Sequence, residues 1–257
     1  MITRLQLGAS RLEELAPQSL RVFLDKRWMH LGEPELDQHS KGLSLSRLRA
    51  AMRVHSPAYI LRVGWQTALR RSTPQADAGS LYGQTNFQAF FYRKGDPLPF
   101  PDESIHFVYS EHFFEHLFFD EAAALLAECR RVLTRGGVVR TVVPDADLRT
   151  YEAPEPVGFP DRKMPFSNSS KHKTRWSVYL LTEAVRAAGL DPVPLRYCDR
   201  AGHYVRRDPA SVDGIYDACP DQVMARDLSY VFRIDSLIVD GLKGIAANET
   251  REARTGR

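Results

Sequence analysis

One uninterrupted run, from Leu98 to Pro144, constrains the fold of this chain more than any other feature. It contains an apolar segment at 105–109, an amphipathic segment at 120–134 and a second apolar segment at 138–143. The apolar segments are typical of buried strands, and the spacing of apolar residues in the middle segment predicts a helix. Strand, helix and strand in close succession are typical of a layered α/β architecture.

The rest of the chain continues the alternation of strands and helices. Further strands are predicted at 3–8, 20–24, 87–92, 193–197 and 231–239, and further helices at 11–18 and 176–188. Gly136 and Gly137 predict the end of the helix at 120–134. The pattern therefore predicts an α/β fold, with a Rossmann-like, mostly parallel sheet and helices on both faces.

Length and composition indicate one domain with an insertion. The 257 residues are 43% hydrophobic, which suits a single domain over 1–245 followed by a flexible tail at 246–257. The pattern changes between about 28 and 83, where an inserted helical lid is expected. Within it, 43–71 is amphipathic and basic, since no acidic residue lies between Asp37 and Asp77. The basic face of this segment could bind an acidic substrate or lie on an anionic membrane surface, or it could be a solvated helix face with no partner.

Charge and cysteine usage exclude several classes of protein. A net charge of +3 is too small to suggest a nucleic-acid partner. The three cysteines have no CxxC spacing, so a zinc cluster built from them is not expected. No apolar run reaches the roughly 18 residues of a membrane span, and the first residues lack a signal-peptide core. A cytoplasmic protein is the expectation.

The turns after two of the strands are the expected place for chemistry, since ligands bind beyond the carboxyl ends of strands in open α/β sheets. The candidate side chains are Ser110, Glu111, His112, Glu115 and His116 in the first turn, and Asp145 and Asp147 in the second. Among them His112 is the preferred base, because imidazole ordinarily titrates near neutral pH.

His112, Glu115 and His116 also match the inverted zinc motif H-x-x-E-H, in which two histidines share a helix face with a carboxylate base. The motif is short and shows no third ligand in the sequence. A zinc hydrolase is therefore the less favoured interpretation, and no metal site is predicted. The alternative is that Glu115 and His116 bond locally and fix the start of the following helix.

The order of these motifs resembles the class I S-adenosylmethionine-dependent methyltransferases of the type 11 group. The resemblance covers 98–245 well and the first 25 residues weakly, and it departs from the family pattern at His106. His172 and Lys173, before an apolar helix, also look like the family. The matching residues in the central run are Leu98, Pro99, Phe100, Asp102, Ser104, Glu115, His116, Arg131, Val132, Leu133, Gly136, Gly137, Val143, Pro144 and Asp145.

The resemblance implies S-adenosylmethionine as cofactor. The family has several glycines after the first strand, where this chain has Leu7, Gly8, Ala9 and Ser10, so the glycine motif is degenerate. Asp25 is expected at the ribose, by analogy with dinucleotide folds, and Asp96 near the adenine. Ser110 and Glu111 complete the expected cofactor set.

The activity implied is methyl transfer to an oxygen or nitrogen of a small molecule, which could be acidic or related to a glycan. His112, Asp145 and His172 are the expected catalytic residues. The basic segment 43–71 would contact an anionic acceptor, or a membrane surface peripherally. The alternative is a catalytically inactive protein that keeps the fold and binds a ligand, because Ala9 and Ser10 replace two expected glycines.

Overall fold

The fold is built on an eight-stranded sheet. In the computed structural model, the described residues are 1–9, 17–32, 85–90, 92–148, 172–212 and 214–244. The strands are β1 (Arg4–Leu7), β2 (Trp28–Gly32), β3 (Asn86–Ala89), β4 (Ile105–Glu111), β5 (Leu133–Val143), β6 (Asp191–Cys198), β7 (Tyr204–Arg206) and β8 (Leu237–Leu242). The α-helices among the described residues are α1 (Pro17–Phe23), α2 (Phe119–Val132), α3 (Val178–Ala187) and α4 (Gln222–Arg226).

The order of strands across the sheet is β3-β2-β1-β4-β5-β8-β6-β7. Neighbouring strands from β3 to β5 pair in parallel, whereas β8 is antiparallel to both β5 and β6, and β7 is antiparallel to β6. Six strands therefore share one direction, which confirms the predicted mostly parallel sheet. From β1 the chain adds β2 and then β3 on one side of β1, and it then adds β4 on the other side of β1. The strand order therefore reverses between β1 and β4.

Both faces of the sheet are covered. On one face, Leu5 and Val108 pack with buried residues of α2 and α3, such as Leu125 and Leu181. On the opposite face, Phe107 packs with apolar residues of α1 and α4. This arrangement confirms the prediction of helices on both faces.

The helices begin where local hydrogen bonds favour them. At the start of α2, the carboxylate of Glu121 accepts a hydrogen bond from the backbone N–H of Phe118 at 2.8 Å. At the start of α3, the hydroxyl of Ser177 accepts one from the N–H of Leu180 at 3.3 Å. Helix α3 therefore begins two residues after Trp176, the predicted start. Trp176 instead bridges to Asp145 in a single parallel β-bridge.

The predicted strand at 20–24 is wrong, because this segment belongs to helix α1. Ser19 and Phe23 are buried one helical turn apart, and Leu20 packs against the same cluster as Phe23. The apolar residues therefore follow a helical period rather than a strand period. The second strand of the sheet is β2, which begins at Trp28.

The insertion was predicted to begin too early. Its first five residues form β2, which pairs with β1 in the interior of the sheet. The predicted helix at 11–18, the basic segment 43–71 and the tail at 246–257 lie mostly or entirely outside the described residues. Among the helices that are described, none is long and apolar enough to cross a membrane.

Gly136 and Gly137 do not end a helix as predicted. Helix α2 ends at Val132, and β5 starts at the next residue and includes both glycines. Gly136 has a φ of +71°, and a β-carbon there would lie 2.4 Å from the carbonyl oxygen of Ala218. The glycine is required because another backbone approaches the strand closely.

Candidate active site

The carboxyl ends of β1 and β4 form the candidate site, because the order of the strands reverses between them. Leu7 pairs in register with Ser110, so the residues that follow these strands emerge side by side. Gly8 and Ala9 follow β1, and His112 follows β4. The structure thus brings together the two halves of the site predicted from the sequence.

The turn after β1 requires glycine at its first position. Gly8 has a φ of +62°, which is the left-handed region that side chains disfavour. The N–H of Ala9 donates to the carbonyl of Leu31 at 3.0 Å, which holds the turn against the end of β2. Gly32 accommodates this contact, since a β-carbon there would lie 3.2 Å from that of Ala9. Ser10 lies outside the described residues.

Leu7 and Ser110 are strand residues whose side chains are buried. Leu7 belongs to the core, and the hydroxyl of Ser110 is buried without a hydrogen-bond partner among the described residues. Only the backbone of either residue is positioned to contact a ligand beyond the strand ends. For Leu7 and Ser110, the predicted role in cofactor binding is therefore limited to a contact through the backbone.

Asp25 does not lie at the predicted site. It precedes β2, whose first residue, Trp28, pairs with Arg4, so Asp25 is at the amino edge of the sheet, opposite Gly8. Its carboxylate forms ion pairs with Arg27 at 2.6 Å and Arg4 at 3.2 Å. The Arg27 side chain is the main cause of the lowered pKa of Asp25. The sequence placed Asp25 at a strand end only because α1 was interpreted as a strand.

The carboxylate of Asp96 is used within its own turn. Its Oδ2 accepts a hydrogen bond from the backbone N–H of Arg93 at 3.0 Å, and its N–H donates to the carbonyl of Arg93. The same loop is held to the start of α2, where Lys94 pairs with Asp120 at 3.0 Å. These contacts hold the loop of Asp96 against α2, and a cofactor contact of Asp96 remains a prediction.

Glu111 and His112 turn the chain away from β4. Glu111 is buried, and one carboxylate oxygen accepts a hydrogen bond from the backbone N–H of Arg233 at 2.6 Å. Burial is the main cause of the raised pKa of Glu111. His112 has a φ of +50°, which is uncommon for a residue with a side chain. Strained backbone of this kind is concentrated at functional sites.

The imidazole of His112 lies between two polar groups. Its Nε2 is 2.9 Å from the hydroxyl of Ser236, and its Nδ1 is 3.3 Å from Oε1 of Glu115. Burial is the main cause that lowers the pKa of His112 to about 3. Burial likewise raises the pKa of Glu115 to about 8. At neutral pH the ring of His112 is therefore uncharged, so its close approach to Glu115 is not an ion pair.

The H-x-x-E-H pattern is not helical in this structure. Strand β4 ends at Glu111, and only Phe114–His116 form a short 3₁₀ turn before α2 begins at Phe119. His112 and His116 therefore do not share a helix face, as the zinc motif requires. The ring of His116 packs instead against that of His172, with centroids 5.2 Å apart. The sequence could not show this pairing, because 56 positions separate the two histidines.

Asp145 has a structural function in the turn after β5. Its carboxylate accepts hydrogen bonds from the N–H groups of Cys198, at 2.6 Å, and Asp147, at 3.0 Å. These bonds join β5 to the end of β6. Because both carboxylate oxygens already accept hydrogen bonds from backbone N–H groups, Asp145 is better suited to holding the ends of β5 and β6 together than to contacting a methyl acceptor.

The described residues fit an S-adenosyl group at this edge. Gly8 provides the tight turn, and the carboxyl of Glu115, in the turn after β4, is buried without a hydrogen-bond partner among the described residues. The carboxylate expected at the ribose is not provided by Asp25. Among the described residues, the features that suit the cofactor are therefore the carboxyl ends of the strands and the turn at Gly8.

Comparison with known proteins gives one family match. A model described as a methyltransferase domain matches residues 67–141, less than a third of the chain. Of the described elements, the match includes β3, β4, α2 and most of β5, and it excludes the turn at Gly8. None of the curated proteins matches the chain.

Several solved structures are similar at low identity. A chain from the complex of the Haloferax volcanii Trm112 methyltransferase activator is 19% identical, with a TM-score of 0.45 and coverage of 95% of this chain and 83% of that one. Burkholderia thailandensis 1,6-didemethyltoxoflavin-N1-methyltransferase, solved with S-adenosylhomocysteine, is 13% identical, with a TM-score of 0.44 and coverage of 95% and 71%. A methyltransferase from Mesorhizobium loti is 15% identical, with a TM-score of 0.42 and coverage of 93% and 90%.

Proposed function

We propose that this chain is a class I S-adenosylmethionine-dependent methyltransferase and that it transfers a methyl group to an oxygen or nitrogen of a small acceptor. The cofactor, when bound, supplies an electrophilic methyl group for in-line displacement. One observation carries the proposal. Strand β4, which lies in the segment matched by the family model, pairs with β1, so its carboxyl end lies beside the Gly8 turn where the strand order of the sheet reverses. Positioning supplies much of the rate in such a reaction.

On the cofactor side, Gly8 and Ala9 form the turn against which the cofactor would lie. Glu33 replaces Asp25 as the proposed ribose ligand. Glu33 lies outside the described residues, and in the sequence it directly follows Gly32, the last residue of β2. The N–H of Ala9 bonds to the same strand end. Glu33 is also 25 positions after Gly8, close to the spacing of the ribose carboxylate in dinucleotide folds.

On the acceptor side, His112 is the proposed contact for the group that is methylated. Its ring is neutral at physiological pH, because burial keeps its pKa near 3. If Nε2 exchanges its contact with the Ser236 hydroxyl, at 2.9 Å, for the substrate, a neutral ring can accept a hydrogen bond from an acceptor O–H or N–H and orient the lone pair for attack. A pKa this low makes it a weak base, so its proposed contribution is mainly orientation.

An anionic acceptor is supported by arginines at the same edge. Arg200 and Arg206 are exposed, and Arg200 lies in the β6–β7 turn, which follows the carboxyl end of β6. Arg206, at the end of β7, pairs with Asp235 at 3.1 Å and would exchange this partner for an anionic acceptor. Arg200 lies over the ring of Tyr179 at 4.4 Å, and Arg206 lies over that of Tyr204 at 4.9 Å. Cations held over aromatic rings provide a fixed positive surface for carboxylate or phosphate groups.

The test is methyl transfer from labelled S-adenosylmethionine to a panel of small acceptors. The panel pairs each carboxylated or phosphorylated compound with its neutral analogue. We expect transfer to anionic members, and a reduced preference for them in the double variant R200A/R206A. Turnover of neutral members alone would contradict the anionic class. Cofactor binding without transfer to any acceptor would support the alternative, a protein that binds without catalysis.

A further inference from the structure

Three side chains with metal-binding atoms converge beside the β4 edge. The ligand atoms of Glu115, His116 and His172 all lie within 4.8 Å of one another. We propose that these three residues form a binding site for one divalent transition-metal ion. The site does not depend on methyl transfer, and it differs from the linear motif because His172 takes the place of His112.

The separation of the three groups suits a small ion. Tetrahedral zinc with bonds of about 2.1 Å needs ligand atoms about 3.4 Å apart. Rotation of side chains can close the remaining distance, since the rings of His116 and His172 already meet edge to face, with centroids 5.2 Å apart.

The backbone holds the two halves of the site together. The carbonyl of Glu115 accepts hydrogen bonds from the N–H groups of Lys173, at 2.7 Å, and Thr174, at 3.1 Å. The hydroxyl of Thr174 donates to the carbonyl of Leu117 at 2.7 Å. His172 is therefore fixed beside the turn that carries Glu115 and His116, although it is distant in the sequence. A site held in this way loses little entropy when an ion binds.

The carboxyl of Glu115 is buried with no hydrogen bond to the described residues, and its polar neighbour is Nδ1 of His112 at 3.3 Å. The residue is 1% exposed, and neither carboxyl oxygen has a hydrogen-bond partner among the described residues. A buried polar group without a partner is costly, and such groups in native proteins call for an explanation. A cation bound between this carboxyl and the two imidazoles would provide that partner.

His112 lies beside the site but outside the set of ligands. Its Nε2 is occupied by the hydroxyl of Ser236, and its Nδ1 faces Oε1 of Glu115 at 3.3 Å. It can orient the carboxyl without binding the ion. Two imidazoles and one carboxylate make up the protein ligands of open zinc sites, in which a fourth position is left for water or substrate.

The experiment uses the full chain, purified without a histidine tag and dialysed against chelator. Zn²⁺ is titrated by calorimetry in competition with a chelator of known affinity, and Co²⁺ is added separately to record its visible spectrum. We expect one equivalent of Zn²⁺ with a micromolar or lower Kd, and a Co²⁺ spectrum typical of tetrahedral nitrogen and oxygen ligands. We also expect H172A and E115Q each to weaken binding at least tenfold.

His106 provides the matched control. It lies at the other end of β4, about 20 Å from His112 at the usual rise per residue, and H106A should bind Zn²⁺ as the unmodified chain does. Urea unfolding of each apoprotein shows whether a variant still folds, and H172Q serves as a milder substitution if H172A does not. The proposal is overturned by the absence of stoichiometric binding. It is equally overturned if H112A abolishes binding while H172A or H172Q leaves it unchanged, since that result assigns the ion to the linear motif.

Discussion

The ring of Phe113 lies directly against the α-carbon of Gly8, so that a β-carbon added there would be 2.5 Å from Cγ of Phe113. Phe113 belongs to the turn after β4, and Gly8 to the turn after β1. This contact joins the proposed cofactor and acceptor sides of the site. It also explains, without reference to any ligand, why a glycine is needed at position 8, the one glycine of the motif that this chain retains.

Replacing Gly8 with alanine should destabilise the protein and weaken cofactor binding together. The left-handed φ costs a side chain about 1–2 kcal/mol, and the clash with Phe113 adds to that cost. Urea unfolding measures the loss of stability, and calorimetry with S-adenosylhomocysteine measures the loss of affinity.

Gly95 offers a control that separates backbone strain from the clash. Its φ is +93°, yet a β-carbon there would meet no atom within 4 Å. G95A should therefore show only the cost of the backbone. If G8A is no more destabilising than G95A, the contact with Phe113 does not restrain the turn.

The stability of the fold should fall in mild acid because of His30. This residue is 0% exposed, and its Nε2 donates to the carbonyl of Phe23 at 3.0 Å. Burial lowers its pKa from 6.5 to about 4. Between these values the unfolded chain binds the proton and the folded chain does not, so stability is full above pH 6.5 and decreases as the pH falls toward 4. The difference corresponds to about 3 kcal/mol.

Urea unfolding at pH 7.5 and pH 4.5 measures that loss. H30Q removes one of the two buried imidazoles whose pKa is lowered and should reduce the slope over this range, while His112 accounts for a slope that remains. His203, whose side chain is 79% exposed, is the control, and H203Q should keep the slope of the unmodified chain. A profile unchanged by H30Q would contradict the assignment.

Breaking the buried ion pair between Arg140 and Asp240 should be among the most damaging single changes. Both side chains are 0% exposed and meet at 2.7 Å, and the hydroxyl of Tyr216 also donates to Asp240. In D240N the guanidinium remains buried without its counter-charge, which costs about 3–5 kcal/mol. D235N breaks the exposed pair with Arg206 and should cost about 1 kcal/mol or less. Comparable unfolding free energies for the two variants would refute this ranking.

The sequence predicted the fold best where periodicity and burial agree. The core of β4, the helix before β5 and the end of β5 at Val143 were all predicted, since each has a long apolar pattern. The segment that became α1 was misinterpreted because it is short. Over five residues, a helical face that buries Phe23 is indistinguishable from a strand.

The site was predicted only in part, because its residues come from distant segments. Gly8 and His112 could be placed at strand ends by the rule for open sheets. The error at Asp25 followed from the error at α1. The contact between His116 and His172 depends on how the chain returns to β4, and no local pattern encodes that return.

The most direct test of the central claim is calorimetry with S-adenosylhomocysteine on the unmodified chain, on E33Q and on D25N. If the edge formed by β1, β2 and β4 holds the cofactor, the unmodified chain and D25N should bind with micromolar Kd, while E33Q should bind at least tenfold more weakly. Asp25 lies at the opposite edge of the sheet, so D25N controls for the loss of a carboxylate near β2. Two results would contradict this assignment of the cofactor site. One is that the unmodified chain does not bind at millimolar ligand, and the other is that D25N loses binding while E33Q keeps it.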